Sequence, residues 1–401
     1  MNVDRPKSQK LIKASLFCIS LVVGLILNNF VWVTSVSDNK VDSHHFLDSS
    51  LQSSPKHNFD MSKQPQSFTA WSEAARLKDD SISKMQGGTI VNDMAYSVVG
   101  RGNESYIAQF NLRTGASQLL AGNLGKLTND SADSETVSPI GHANDLVGLR
   151  LPNGLVTFLT PRMYNETVVQ LNLKDGKVSR GKQTTLMFKN KPIKASGMEI
   201  IEQKNNMVTL LVKANSIYGT VTFDITNLPK HLNLKKVAKI PSADHTQHDR
   251  EKVVSAHPPL ELINSYKAKH SGKSDVEINQ MIGNDIAKDY SLNQNITFAN
   301  GYLYVTSDKL KDRDNGAIIL EYQLPKDQRK EPQTTGRYAY INDKKLNLFE
   351  VEAAAINSNG KIYAIAHGYS EQAGSAKGKN RLTNVLDTKM TVPQMTNDTN
   401  E

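Results

Sequence analysis

His142 stands three residues before Asp145 in the stretch Gly-His-Ala-Asn-Asp that begins at Gly141. An imidazole close to a carboxylate is the smallest unit of general acid–base chemistry, or of a metal ligand with its orienting partner. Residues three apart on an extended strand point to opposite faces, so the two meet only if the chain turns through Ala143 and Asn144. The Asn-Asp-apolar unit recurs at Asn92-Asp93-Met94, which favours a repeated structural position over a catalytic dyad.

A larger set follows from the same repetition. When five segments of the chain are overlaid by their turns, Asp93, Asp145, Glu199, Asn295 and Glu352 coincide, at separations of 52, 54, 96 and 57 residues. In a closed ring of sheets, equivalent positions at the start of the innermost strands line the mouth of a central channel. Carboxylates converging there need a cation, a lysine or ordered water between them, or else each one bonds the backbone amides of a neighbouring unit. The second arrangement is the favoured expectation; His142 joins the set as a residue with no counterpart in the other segments.

Two further groups carry charge. His245 and His248 sit three apart beside Asp244 and Asp249, a spacing that would let one helix face present two imidazoles to a metal. The surrounding residues are polar throughout and no His-Glu-x-x-His pattern is present, so a solvated loop is expected and no metal or other cofactor is assigned. Lys174, Lys177, Arg180, Lys182, Lys189, Lys191 and Lys194 face a single acidic residue, Asp175, over the same 21 positions. Such a run is either a solvated loop or a docking patch for an anionic wall polymer or lipid.

These residues must be positioned by short strands. From about residue 67 onward, runs rich in Val, Ile, Leu, Tyr and Phe alternate with Gly, Asn and Asp turns, and long amphipathic helices are scarce. Asn153-Gly154, Asn300-Gly301 and Asn359-Gly360 supply hairpin turns, with Asn205-Asn206 as a substitute. Three or four antiparallel strands per segment, five times over, predict an all-β fold, a five-bladed β-propeller over residues 67–391. The long interval between Glu199 and Asn295 holds a polar stretch, about 231–294, expected as an insertion; a sixth blade there is the alternative. Ring closure needs a strand shared by the two ends. Ser67–Ala74 and Arg381–Asp387 are the candidates.

The chain has 401 residues, with 48 Lys and Arg against 40 Asp and Glu and a net charge of +8. Its mean hydropathy is −0.46 and its pI about 9.2, the profile of a basic, polar protein rather than a membrane-embedded one. Arg5, Lys7, Lys10 and Lys13 precede the apolar run Ala14–Leu27, the pattern of an export segment over residues 1–37. Cleavage near Thr34–Ser37 and retention as an uncleaved membrane anchor both fit it. A polar spacer over 38–66, carrying His44, His45 and His57, and a tail over 392–401 flank the propeller. Cys18, the one cysteine, lies inside the apolar run, so neither disulfides nor Cys-based catalysis are available beyond it. No nucleophile elbow, phosphate loop or dinucleotide fingerprint appears, nor a basic-aromatic platform for nucleic acid.

Several segments, in one order, resemble the helveticin J-like bacteriocins, exported proteins of lactic-acid bacteria. They are "YIAQFNLRTGASQLLAG", the Gly141-His142 opening, "NGYLYVTSDK" and "FEVEAAAINSNGKIYAIAHGYSEQAGSAKGKNRLTNVL", across residues 85–388. The resemblance implies a propeller-shaped antibacterial protein directed at related bacteria, and it transfers no catalytic residue. The resulting expectation is a secreted or surface-held, non-enzymatic protein of a Gram-positive bacterium that recognises the bacterial cell envelope. Two other readings stand beside it: an anchored propeller binding carbohydrate or an anionic wall polymer, and a lyase or hydrolase using His142 and the channel carboxylates.

Overall fold

A computed structural model describes residues 67–68, 70–79, 81–127, 138–162, 165–240, 259–289, 292–308, 317–341, 348–371 and 379–393. The chain divides into Met1–His45 and Phe46–Glu401, and every described residue belongs to the second unit. The export run, His44, His45 and His57 of the spacer, the Asp244–Arg250 cluster, His257 and the last eight residues lie outside the described residues.

Strands β1 (Ser67–Phe68) and β2 (Ser72–Leu77) precede the first sheet. Blade 1 is β3 (Ile82–Val91), β4 (Met94–Arg101), β5 (Glu104–Asn111) and β6 (Ser117–Leu119). Blade 2 is β7 (Val147–Arg150), β8 (Val156–Pro161), β9 (Thr167–Lys174) and β10 (Lys177–Phe188), extended by β11 (Lys191–Pro192). Blade 3 begins with β12 (Ala195–Lys204), β13 (Met207–Ala214) and β14 (Ile217–Asp224). The chain then returns to blade 2 as β15 (His231–Asn233), parallel to β10, before closing blade 3 with β16 (Lys235–Lys239). Helices α1 (Pro259–Lys269) and α2 (Asp275–Asp289) follow. Blade 4 is β17 (Leu292–Ala299), β18 (Tyr302–Asp308), β19 (Ala317–Gln323) and β20 (Gln333–Ile341). Blade 5 is β21 (Leu348–Ile356), β22 (Lys361–Glu371) and β23 (Lys379–Thr391).

The fourth strand of blade 5 is β2, paired antiparallel to β23 from Ser72↔Asp387 to Leu77↔Thr383. The chain's two ends thus share one sheet, as expected for ring closure, and β1 adds to the outer strand of blade 4. The fold is a five-bladed β-propeller. Five apolar clusters fill the five seams between neighbouring blades. Phe158 and Leu171 of blade 2 share one cluster with Val98 of blade 1, and Leu159 shares another with Leu210 of blade 3. Leu211 and Ile296, Tyr304 and Ala364, and Ile365 and Phe110 belong to the three clusters around the rest of the ring.

The stretch expected as an insertion is shorter than 231–294. Residues 231–239 are blade strands, because β14 and β10 both have a free edge that needs backbone partners. Its helical part lies on blade 4: Ile278 and Ile282, one turn apart on α2, bury against Ile318, Leu320 and Tyr338. A capping box starts that helix, with Ser274 and Glu277 exchanging side-chain-to-amide hydrogen bonds at 2.9 and 3.3 Å. Blade 4 also holds a fully buried ion pair, Arg337 to Glu321 at 2.5 Å, and Arg337 donates to the Thr391 carbonyl of blade 5 at 3.0 Å. Among the described residues no helix is long and apolar enough to cross a membrane.

Candidate functional site

The innermost strands of blades 1, 3, 4 and 5 each carry a β-bulge, between Gln86 and Gly88, Ile200 and Glu202, Asn293 and Ile296, and Val351 and Ala353. A bulge twists its strand and re-aims a side chain, here at the level where the inner strands meet. Blade 2 reaches the same level through Asn144 and Asp145, just ahead of β7.

Asp145 is wholly buried and its carboxylate is the hub. Oδ1 accepts the Leu146 amide at 2.7 Å and the side-chain amide of Asn295, while Oδ2 accepts the Met198 amide at 2.7 Å. Asn295 in turn accepts the Ala354 amide at 3.3 Å, and Asn144 donates to the Ser196 carbonyl at 2.9 Å. The chain of bonds therefore runs from blade 2 to blade 3, and across to blades 4 and 5. Blade 1 contributes backbone instead. Gly87 has φ +50°, and a Cβ on it would stand 2.6 Å from the Asp145 backbone, so only glycine admits this approach. Asp145 thus bonds a residue two blades away, so this level of the axis is bridged by side chains.

Glu199 lies beside this hub and keeps partial exposure. Its Oε1 accepts the Ile200 amide at 2.8 Å, and its Oε2 accepts the Thr297 hydroxyl of blade 4. Burial raises its pKa to about 7 against these donors, and burial, reinforced by the Glu199 charge, pushes Asp145 upward as well. Glu352 occupies the bulge of β21, 2% exposed.

Two of the expected site residues fall elsewhere. Asp93 is not on the axis: Asn92-Asp93 is the two-residue turn between β3 and β4, with Asn92 at φ 57°, and Asp93 pairs with Arg113 at 2.5 Å. The Asn-Asp-Met likeness to Asn144-Asp145-Leu146 joins a hairpin tip to a blade entry, two sites with different backbone needs. His142 sits in the turn before Asp145, with Ala143 at φ 50°. Burial, with the nearby Lys84 ammonium, lowers its pKa to about 4, leaving it neutral at neutral pH. The donors to the Asp145 carboxylate are the Leu146 and Met198 amides and the Asn295 side chain, and the charge that acts on His142 is that of Lys84, so the two residues are engaged separately. Among the described residues no group of three or more His, Cys, Asp or Glu could hold a metal ion.

The seven basic residues of the 174–194 run are all exposed. Lys174 and Lys177 flank the Asp175-Gly176 turn, whose two residues have φ 51° and 72°. Arg180 borders and Lys182 lies within a bulge in the middle of β10, and Lys189, Lys191 and Lys194 continue past its end. Lys189 covers the Phe188 ring at 5.4 Å. Sequence reasoning missed Gly87, Asn144 and Thr297; the Gly87-Gly88 doublet inside a strand pattern was the one available signal.

No protein-family model and no curated protein matches this chain. Similar solved structures include Bacteroides ovatus xyloglucan PUL GH43B, at 13% identity and a TM-score of 0.35, covering 77% of this chain and 53% of that one. The chain thus spans about half the length of that protein. The catalytic domain of Coprinopsis cinerea GH62 α-L-arabinofuranosidase is 8% identical with a TM-score of 0.39, covering 80% and 97%. Myxococcus xanthus glutaminyl cyclase is 11% identical with a TM-score of 0.35, covering 81% and 99%. No residue role is carried over from any of them.

Proposed function

We propose that this protein is a non-enzymatic, envelope-binding propeller of the helveticin J-like antibacterial kind, exported and acting on related bacteria through its basic flank. The observation that carries this reading is how the charges are divided. The axial carboxylate Asp145 has both oxygens taken by donors from its own and other blades, while a row of cations on blade 2 faces solvent. A surface of that kind gathers a polyanion without performing chemistry on it. Purified protein is expected to bind whole lactic-acid bacteria in a salt-sensitive way and to inhibit their growth. Binding without inhibition would leave an anchored wall-binding module; absence of both would sink the proposal.

One observation favours the hydrolase reading. Glu199, partly exposed and with a pKa near 7, has the protonation behaviour of a general acid. Release of new reducing ends from purified wall polymer, abolished by Glu199→Gln, is the result this reading requires.

A further inference from the structure

The basic flank is larger than the run visible in the sequence, and β15 is what enlarges it. Between blades 2 and 3 the chain swings back so that Thr185 of β10 donates its amide to the Lys230 carbonyl at 3.0 Å, and Leu234 donates to Met187 at 2.8 Å. Lys182 reaches Asn227 in the same crossing at 3.2 Å. Lys230 and Lys235, both exposed, thereby bracket β15 beside the far end of β10, and exposed Lys239 follows at the end of β16 on the outer edge of blade 3, where its amide bonds the Lys330 carbonyl. Residues 165–240 hold 13 Lys and Arg against 5 Asp and Glu, an excess of 8 that equals the net charge of the whole chain.

We infer that the outer edges of blades 2 and 3 form one continuous docking surface for an extended polyol-phosphate wall polymer. This rests on the proposed envelope-binding function and names its ligand class. The cations are spread from the Lys174–Lys177 turn at one end of β10, past Arg180 and Lys182, to Lys189 and Lys191 beyond its other end, and the 12 residues of that strand span about 40 Å at about 3.3 Å per residue. A row suits a linear chain of phosphates, each neutralised as counterions are released, better than a single small anion. Lipid is disfavoured because the exposed large apolar side chains among the described residues, Met207 and Val276, both lie off β10, β15 and β16. Nucleic acid is disfavoured because base stacking needs open aromatic faces, and Phe188 is half-buried beneath Lys189.

The test uses the full chain and two triple variants, Lys174→Glu/Lys177→Glu/Lys191→Glu and Lys230→Glu/Lys235→Glu/Lys239→Glu. Binding to poly(glycerol phosphate), to vesicles rich in phosphatidylglycerol and to single-stranded DNA is titrated against salt, with unfolding midpoints as a folding control. Each triple is expected to weaken polymer binding by tenfold or more, with the salt slope falling by about 1 per lysine removed. If only the first triple matters, the enlarged surface is overturned while envelope binding stands. Tighter binding to vesicles or to DNA than to polymer would overturn the choice of ligand. Failure of the unaltered protein to bind polymer and cells alike would remove both this inference and the function beneath it.

Discussion

The axis and the flank of this propeller hold the same kinds of residue in opposite circumstances. At the axis, Asp145 is fully enclosed and every oxygen of its side chain meets a donor from blade 2, 3 or 4. On the flank, Lys174, Lys177 and Lys191, at the ends of β9, β10 and β11, stand exposed to water. The contrast teaches that a charged residue's role here is set by what surrounds it. Enclosed polar groups couple blades and contribute to stability; exposed charge leaves stability nearly untouched and is free for the binding proposed above.

That contrast is best broken by moving the largest stability effect first. Asp145→Ala leaves the amides of Leu146 and Met198 and the side chain of Asn295 without their acceptor in a buried site. Urea unfolding should show a loss of roughly 3–5 kcal/mol, since each orphaned buried donor costs about 1–3. A loss below about 1 kcal/mol would mean that the axis is not a coupling element. Gly87→Ala is next, expected to cost about 2–3 kcal/mol by crowding Asp145 and forcing a left-handed backbone on alanine.

Glu199 sharpens the comparison through pH. Its folded-state pKa of about 7 lies above the ordinary 4.5, so its proton stabilises the folded chain. That contribution is complete below about pH 4.5 and is lost as pH rises through 7, amounting to on the order of 1–2 kcal/mol once its partial exposure is allowed for. Thermal or urea unfolding of wild type and Glu199→Gln at pH 5 and pH 8 should therefore differ in slope, with wild type losing more stability on the alkaline side. Equal slopes would show that Glu199 titrates normally. The smallest expected effect on stability belongs to the flank. The Lys174/Lys177/Lys191 charge reversal should shift unfolding by no more than about 0.5 kcal/mol while it weakens polyanion binding.

The blade pattern was legible because strand alternation and turn chemistry are local. Asn300-Gly301 adopts left-handed angles of 51° and 82° in a two-residue hairpin, as Asn-Gly pairs do. Asn205 reaches the same region at φ 56°, so Asn205-Asn206 serves as the substitute turn. Closure near the N-terminal end of the propeller was legible for a related reason, since an unpaired sheet edge demands a partner. The closing strand is Ser72–Leu77, however, which shares only the last three residues of the expected 67–74, while Ser67–Phe68 pair with blade 4. The axial series was legible for Asp145, Glu199, Asn295 and Glu352, which the inner strands or the entry to β7 do carry. It failed at Asp93, where a dipeptide likeness stood in for a backbone geometry that spacing cannot reveal. The Lys235–Lys239 strand was hidden because its polar residues alternate poorly, and only the open edge of β14 makes it a strand.

The sequence by itself determined the fold class, the repeat and the row of cations, since each is written in neighbouring residues and their periods. Only the tertiary structure decided what the singled-out charges do. The Asp145 carboxylate is tied to donors at Met198 and Asn295, 53 and 150 residues further on, and the glycine that makes room for it comes from blade 1. Those partners are brought together by ring closure, a long-range event with no local signature. His142 and Asp145, near neighbours in the chain, are set to different tasks by it: one a neutral ring in a turn, the other the hub of the axis.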